Sequence, residues 1–378
     1  MKRIFFLLPA TLVAGFLFAQ TAQKAATYQK PEFLEIKTVK TTPVKNQAMT
    51  GTCWSFSTTS LIESEGIRKN KQDIDLSEMF TVRNIYIEKA KNYILRQGYT
   101  QFGEGGLSHD MIRAVGTYGA IPEVVYSGLV NGQTDYNHQK LFTRLKAYLD
   151  SLLKKQPIST GWFDGYTKIL DEYLGKAPQE FTYDGKKFTP VSFAKEVLKF
   201  DAGDYVNLTS FTHQPFYNPF ILQVPDNFAN GAFHNVPLNE LIDVVKDAVN
   251  KGYSVAWDAD VSNKGFKQEV GLALNLDPSV EYTKETLSTG TKEMPYDANI
   301  RQQLYENLTT QDDHLMHIVG TQKSKEGKTF FIVKNSWGKV GPYEGYINVS
   351  EAYFGMNTIS IVLPKAALSK ELLQKLHL

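Results

Sequence analysis

Apolar residues recur at spacings of three and four through the first third of the chain, and this spacing is typical of amphipathic helices. In CWSFSTTSLIESEGI the repeat predicts a helix that begins at Cys53 and ends at Gly66. A second helix is predicted between Ser77 and Gly98, and SHDMIRAVGTYG predicts a third that ends before Gly119. The first third of the chain is therefore predicted to be mainly helical.

The middle of the chain, residues 131–235, has a less regular pattern. HQKLFTRLKAYLDSLLKK places leucines on one helical face, and VSFAKEVLKF is a weaker helical candidate. APQEFTYDGKKFTP and SFTHQPFYNPFILQVPDNFANG are rich in Pro, Gly and Asn, which indicates hairpins or loops. We interpret this block as a large insertion.

From residue 236 the pattern predicts one helix followed by strands. Pro237 is expected at the first helical position and Gly252 at the helix end. YSVAW, HLMHIVGT, TFFIVKNSW and EGYINVS then read as apolar or alternating runs separated by glycines. The last third is therefore predicted to be mainly antiparallel sheet, with a short helical segment, AALSKELLQKLHL, at its end.

These patterns predict an α+β fold with a helical lobe, residues 27–130, and a sheet lobe, residues 236–378. Lobes of this kind meet at a cleft, which would bring Cys53 opposite residues of the sheet. A chain of this length is expected to divide into about two lobes. The 12% aromatic content suits a packed fold and excludes a disordered or fibrous class.

Composition excludes some partners. With 41 basic and 40 acidic residues, the net charge of +1 provides no field that would gather nucleic acid or an anionic membrane. Residues 1–20, MKRIFFLLPATLVAGFLFAQ, have a basic start and a short apolar run, and we interpret them as a signal peptide. The mature chain is then expected to be exported, periplasmic or secreted, and free of the membrane. An uncleaved N-terminal anchor is the alternative.

Cys53 is the only cysteine in 378 residues, so it cannot form a disulfide within its chain. A thiol in the first turn of a helix, near a protonated imidazole, is expected to have a lowered pKa and to act as a nucleophile. DHLMHIVG offers two histidines on a predicted strand, His314 and His317. Alternation puts them on opposite faces, so at most one faces the cleft, and the pattern does not say which.

QAMTGTCW, DHLMHIVG and VKNSWG, in this order, resemble the motifs of the papain-like cysteine peptidases. The resemblance implies a papain-like two-lobe fold without cofactor or metal. It also implies that Cys53 is the nucleophile, His314 the acid/base and Asn335 the residue that orients the imidazole. The side chain of Gln47 and the backbone N–H of Cys53 would form the oxyanion hole. Trp337 would shield the bond between Asn335 and His314 from water.

FGEGGLSHDM resembles the segment of this family that hydrogen-bonds an extended substrate backbone, which assigns Gly105 and Gly106 to the substrate-binding wall. The large insertion, the absence of paired cysteines, GGLSHDMIRAVGTYGAIPE and VPLNELIDVVKDAVNKGYSVAWDADVS together resemble the bleomycin hydrolase and aminopeptidase C branch. That branch implies a thiol aminopeptidase acting on peptides, commonly hexameric, whose C-terminal arm restricts the cleft. Only 14 residues follow Pro364 here, so the resemblance does not extend to a longer arm.

Alternatives from other classes stay open at this point. They are a papain-like endopeptidase, a non-catalytic peptide-binding protein on the same fold, and an acyl transferase that uses the same thiol. Asp258 and Asp260 are interpreted as turn or edge residues and only secondarily as paired carboxylates or a cation site. His109 is interpreted as a solvated residue at a helix start, and no metal or nucleotide motif is present.

Overall fold

Ten α-helices and thirteen β-strands lie within residues 28–378, the part of the chain that the computed structural model describes. The helices are α1 (Cys53–Asn70), α2 (Glu78–Leu95), α3 (Ser108–Tyr118), α4 (Gln139–Leu153), α5 (Trp162–Leu174), α6 (Pro190–Glu196), α7 (Leu238–Asn250), α8 (Ala298–Glu306), α9 (Glu351–Asn357) and α10 (Lys370–Lys375). The strands are β1 (Phe33–Thr38), β2 (Phe181–Tyr183), β3 (Lys186–Phe188), β4 (Tyr205–Thr209), β5 (Pro219–Ile221), β6 (Ala232–Asn235), β7 (Val255–Ala259), β8 (Phe266–Lys267), β9 (Leu272–Ala273), β10 (His314–Ser324), β11 (Thr329–Lys334), β12 (Tyr346–Ser350) and β13 (Thr358–Pro364). The predicted signal peptide lies outside the described residues.

One large sheet contains eleven of the thirteen strands. Its strands follow the order β5, β6, β4, β13, β7, β10, β11, β12, β9 and β8, and β1 pairs with the far end of β10. The pairs are antiparallel except β4 with β6 and β9 with β12. β10 is the central strand, since it pairs with β7 through residues 314–318 and with β11 through residues 317–323.

Helix α1 lies between the other helices and the sheet. Its residues 53–67 are all buried, which is typical of a helix that packs on every side. On the sheet side, Ser57 Oγ donates to the carbonyl of Met316 at 2.6 Å, and Ser60 Oγ lies 2.8 Å from His317 Nδ1. These bonds fix α1 across β10, so that the N-terminal end of the helix lies beside the start of the strand. That junction positions the site described below.

The helical lobe is fixed to α1 by buried charges as well as by apolar contacts. Lys45 Nζ donates to Glu78 Oε1 at 2.8 Å, and Glu63 Oε1 on α1 accepts the backbone N–H of Leu76 at 2.8 Å. Ser77 caps α2 by accepting the N–H of Phe80 at 3.1 Å. The loop before α2 therefore cannot move without breaking bonds to carboxylates that are almost wholly buried.

Several predicted boundaries are wrong by a few residues, and some elements were not predicted. Helix α1 continues past Gly66 to Asn70 because the left-handed residue that ends it is Lys71, with φ of 58°. Helix α5 was not predicted. It packs closely on α4, since a Cβ at Gly165 would overlap the Tyr148 hydroxyl. β4, β5 and β6, which lie inside the predicted insertion, extend the main sheet beyond β13.

The C-terminal segment packs on the sheet side of the molecule. Leu372 and Leu376 of α10 are buried in the same apolar cluster as Leu241 and Val245 of α7. Lys375 Nζ reinforces the contact by donating to Glu240 Oε1 at 3.2 Å. None of the helices within residues 28–378 combines the length and the apolarity needed to span a bilayer.

Candidate active site

Cys53 is the first residue of α1, and its side chain is 8% exposed. The sulfur accepts a hydrogen bond from the backbone of Leu315, the residue that follows His314 on β10. The thiol of α1 and the strand that carries His314 are therefore adjacent. Trp54 next to it is fully buried and donates its Nε1–H to the carbonyl of Glu104 at 3.0 Å, which ties the helix start to the segment before α3.

His314 and Asn335 are joined directly. His314 Nε2 lies 2.7 Å from Asn335 Oδ1, which also accepts the N–H of Ser336 at 2.7 Å. Asn335 Nδ2 donates to Gln268 Oε1 at 3.1 Å, so the amide orientation is set by partners on both of its atoms. Because Asn335 Oδ1 is an acceptor, the His314 proton resides on Nε2 in the neutral ring, and Nδ1 is the basic nitrogen.

Trp337 packs on the His314 ring. The ring centroids are 4.7 Å apart and the planes are inclined by 28°, while Phe266 contacts Trp337 edge-on at 5.8 Å. The indole covers the imidazole and its bond to Asn335. A hydrogen bond in such a water-poor environment is stronger than the same bond in water.

Gln47 is held beside the N-terminal end of α1 by hydrogen bonds to Ser336 and Thr50. Its backbone N–H donates to Ser336 O at 2.8 Å, its Oε1 accepts from Ser336 Oγ at 2.6 Å, and its Nε2 donates to Thr50 O at 2.8 Å. The amide nitrogen carries two hydrogens, so one of them stays available after the bond to Thr50. Ser336 thus connects Gln47 to Asn335, its neighbour in the chain.

Gly105 and Gly106, which are predicted to form the substrate-binding wall, are both closely packed. A Cβ at Gly106 would lie 3.2 Å from the indole of Trp54. A Cβ at Gly105 would overlap the carboxylate of Asp226. Asp226 was not predicted as a site residue, because nothing in its Pro- and Asn-rich surroundings marks it; its position becomes visible only when the segment between β5 and β6 is folded against this wall.

The prediction of a lowered thiol pKa is wrong for this structure. Burial raises the pKa of Cys53 to about 12, and the charges of Asp312, Asp258 and Asp226 raise it further, against the hydrogen bond from Leu315. Burial likewise lowers the pKa of His314 to about 4, although Asn335 opposes this shift. Cys53 and His314 are therefore both neutral near pH 7.

Two further interpretations are corrected. Asp258 is an inner residue of β7, paired with Leu315 of β10, and is 1% exposed, so it is neither a turn nor an edge residue. Asp260, two residues on, does lie just beyond the strand, where it accepts from the backbone N–H groups of Ser262 and Gln311. His109 is buried against Phe233, with ring centroids 5.3 Å apart, and is not solvated.

His317 lies on the other face of β10 from His314, as alternation predicts, and bonds Ser60 of α1. Burial and the charge of Lys334 hold the pKa of His317 well below its usual range. Within residues 28–378 there is no group of three or more His, Cys, Asp or Glu side chains arranged to hold a metal ion.

Comparison with protein families gives two matches. Residues 168–378 match the Peptidase C1-like family, and residues 30–84 match the papain family of cysteine proteases. The first match covers more than half of the chain and contains the strand of His314 and the segment of Asn335. The second contains Gln47 and Cys53.

Characterised relatives match over most of their length. Aminopeptidase G of Lactobacillus delbrueckii subsp. lactis is 24% identical over 87% of this chain and 82% of its own. Bleomycin hydrolase of Rattus norvegicus is 22% identical over 89% of this chain and 83% of its own. Among solved structures, PepW from Lactobacillus rhamnosis HN001 superposes with a TM-score of 0.70 at 19% identity, covering 92% of this chain and 85% of that one. The structural likeness to PepW establishes the fold.

Proposed function

The chain belongs to the Peptidase C1-like family of cysteine peptidases, and on this premise we propose that it is a thiol aminopeptidase that uses Cys53, His314 and Asn335. Its substrates would be peptides with a free amino terminus. The observation that carries the proposal is the 2.7 Å bond from His314 Nε2 to Asn335 Oδ1 under the indole of Trp337. This bond leaves Nδ1 as a base on the strand whose next residue bonds the Cys53 sulfur.

The proposed reaction begins with a neutral thiol and a neutral imidazole. As the Cys53 sulfur attacks the scissile carbonyl carbon, the thiol proton passes to His314 Nδ1 and the carbonyl oxygen becomes an oxyanion. The Cys53 N–H and the second Nε2 hydrogen of Gln47 would donate to that oxyanion. Asn335 accepts from Nε2 throughout and so stabilises the imidazolium as it forms.

The second half of the reaction restores the thiol. The imidazolium proton passes to the leaving amine as the carbon–nitrogen bond breaks, which leaves a thioester on Cys53. Water then attacks the thioester and gives a proton to His314. Collapse of the second oxyanion breaks the carbon–sulfur bond, the carboxylic acid product leaves, and the proton returns to the sulfur. No cofactor is needed for any of these steps.

Two observations favour an aminopeptidase over an endopeptidase. The curated relatives described above are named aminopeptidases and bleomycin hydrolase. In addition, Asp226 in the segment between β5 and β6 lies against Gly105, along which the chain of a longer acyl segment would run. Asn227 holds this segment in a compact turn by donating to Leu222 O at 2.8 Å and to Gly231 O at 2.9 Å.

The test compares the wild type with Cys53→Ala on two matched peptide substrates, one with a free amino terminus and one acetylated. We expect the wild type to cleave the free-amino peptide faster, and Cys53→Ala to cleave neither. Ser151→Ala, a change on the exposed face of α4, is the control and should keep full activity. Hydrolysis that survives Cys53→Ala would refute the thiol mechanism, and equal rates on the two peptides would indicate an endopeptidase.

A further inference from the structure

Three carboxylates that the proposed reaction does not use lie in segments near Cys53 and His314. Asp258 lies on β7 directly opposite Leu315, and Asp312 lies two residues before His314. Asp226 lies on the segment between β5 and β6, against Gly105. All three act on the Cys53 thiol, and each raises its pKa. Asp258 and Asp312 therefore lie beside the start of β10, and Asp226 lies against the Gly105 segment.

Asp258 and Asp312 form a pair that lacks a cation. Asp258 is 1% exposed, and its Oδ2 accepts from Ser360 Oγ at 3.2 Å. Its Oδ1 is buried without a hydrogen-bond partner, and Asp312 Oδ2 is likewise buried and unpartnered. The two carboxyl groups are within hydrogen-bonding reach of each other. Two buried carboxyl groups can lie this close only if a proton or a cation lies between them.

The surroundings balance these charges only in part. The buried ammonium group of Lys89 donates to the carbonyls of Gly103 and Gly105. Burial raises the pKa of Asp226, and the charge of Lys89 opposes this shift. The backbone of Asp226 in turn hydrogen-bonds the carboxylate of Asp312. Lys89 is thus committed to the Gly105 wall, on the Asp226 side of the cluster, and the pair of Asp258 and Asp312 is left to accept a proton or a cation from elsewhere.

We propose that the Asp258–Asp312 pair binds the free α-ammonium group of the substrate, and so selects peptides that begin at the residue to be removed. The inference rests on the proposed peptidase function and names the residues that would make it an aminopeptidase. In this role the incoming ammonium group replaces the shared proton between the two carboxyl groups and donates to both.

The covalent geometry of an amino acid supports the α-amine as the ligand. The α-nitrogen is about 2.5 Å from the carbonyl carbon that the sulfur attacks, since only the Cα lies between them. Its binding group must therefore lie near the sulfur, which fits Asp258, opposite Leu315 on the neighbouring strand, and Asp312, two residues before His314. A lysine or arginine side chain at the preceding residue would need room for a further residue along Gly105, and the carboxylate of Asp226 lies against that glycine.

Binding can be measured without turnover in the Cys53→Ala protein. Calorimetry would compare a tripeptide with a free amino terminus, the same peptide acetylated, and an acetylated peptide with one lysine added before the cleavage site. We expect the free-amino peptide to bind at least tenfold more tightly than either blocked peptide. Asp258→Asn and Asp312→Asn, each added to Cys53→Ala, should reduce this ratio to about one.

The matched control is Asp260→Asn, because Asp260 is a buried carboxylate at the end of the same strand whose oxygens are bound to Ser262 and Gln311. It should keep the tenfold preference. Equal binding of free and acetylated peptides, or an unchanged preference in both Asp variants, would overturn the inference. So would tight binding of the acetylated lysine peptide, which would assign the pair to a side-chain ammonium group.

Kinetics separate this inference from the proposed function. In the otherwise wild-type enzyme, Asp258→Asn should lower kcat/KM for the free-amino peptide at least tenfold and leave slow cleavage of the acetylated peptide unchanged. An equal loss on both peptides would contradict selection by Asp258 while the thiol mechanism stands. If the wild type cleaves neither peptide, the proposed function fails, and the binding measurement still decides whether the carboxylate pair recognises the amine.

Discussion

At the scale of single residues, the neutral state of Cys53 is the property that departs most from expectation. The position of the thiol in the first turn of α1 favours the thiolate, but removal from water and three neighbouring carboxylates favour the thiol more strongly. The helix position can be read from the sequence. The carboxylates come from three separate segments, so their joint effect on the sulfur depends on the fold.

The reactivity of Cys53 toward an alkylating reagent should show that its thiol is neutral. Because the pKa of Cys53 is raised to about 12, the thiolate fraction should rise about tenfold for each pH unit up to that value. We predict that the rate of alkylation by iodoacetamide in the substrate-free enzyme increases steadily from pH 6 to pH 9. Cys53 is the only cysteine, so mass spectrometry reads this site alone. A fast rate that is constant between pH 5 and pH 8 would instead indicate a preformed thiolate–imidazolium pair.

The oxyanion donor makes a separate prediction. Gln47→Ala should lower kcat by about 10²–10³ with little change in KM, because the lost bond forms in the transition state. Ser336→Ala is the matched control: it removes the bond to Gln47 Oε1 and leaves Nε2 bound to Thr50, so the loss should be smaller. Steady-state kinetics on one peptide substrate give kcat and KM for both variants. A KM effect alone in Gln47→Ala would exclude the oxyanion role.

The carboxylate pair has a consequence for stability. The pKa of Asp312 is raised to about 7, so the folded chain holds more protons than the unfolded chain between about pH 4 and pH 7, and this group lowers stability as pH rises through that range. Asp312→Asn should therefore stabilise the protein at pH 8 relative to pH 4, by about 1–3 kcal/mol. Urea unfolding of both proteins at both pH values tests the sign. If the difference in unfolding free energy between the two proteins is the same at both pH values, ionisation of the pair does not destabilise the fold.

At the scale of elements, charges buried between α1 and α2 make the helical lobe rigid. Lys45 lies between Glu63 of α1 and Glu78 of α2, both almost wholly buried, and also contacts Asp75. Burial raises the pKa of Glu63 to about 7 despite the lysine. Removal of the lysine would leave two carboxylates buried without their counter-charge.

Lys45→Met should cost about 3–5 kcal/mol of unfolding free energy at pH 8. The loss should shrink at pH 5, because protonated Glu63 and Glu78 need no cation. Lys40→Met is the control, since Lys40 pairs with Asp73 at the surface, and it should change stability by less than about 1 kcal/mol. A pH-independent loss in Lys45→Met would show that the lysine acts through packing alone.

The elements differ in how well the sequence predicts them. The amphipathic repeats of α2, α3, α4 and α7 are regular, and the structure contains each within a few residues of the expected range. Helix α5 was missed because GWFDGY begins with glycines and aromatic residues, and its close approach to α4 is a tertiary contact. β13 was missed because its run TISIVLP is short and apolar throughout, a pattern that periodicity cannot assign.

At the scale of the whole molecule, the α+β fold and the papain-like relationship are confirmed, whereas the place of the middle block is visible only in the structure. Residues 205–235 supply three strands of the main sheet, and Asp226 within this block lies against Gly105. The sequence shows only that this block is rich in turn residues. The domain boundaries and the hexameric assembly that the family resemblance implies stay predictions.

Export is also a prediction at this scale. Residues 1–20 have the pattern of a signal peptide, and we propose that the mature chain begins near residue 20 outside the cytoplasm. N-terminal sequencing of the protein recovered from the native host would check this. Replacing Leu7 and Leu8 with aspartate should keep the full-length chain inside the cell, since the apolar run would be broken. An intact Met1 on the exported protein would indicate an uncleaved anchor.

The central claim is that the sulfur of Cys53 forms a thioester with the residue at the amino terminus of a peptide. Rapid quenching of the enzyme with a slowly hydrolysed free-amino peptide ester, followed by mass spectrometry, tests it most directly. We expect the mass of one aminoacyl group on the peptide that contains Cys53, and no adduct when the ester is acetylated. Turnover without any adduct at Cys53, or an equal adduct from the acetylated ester, would contradict it.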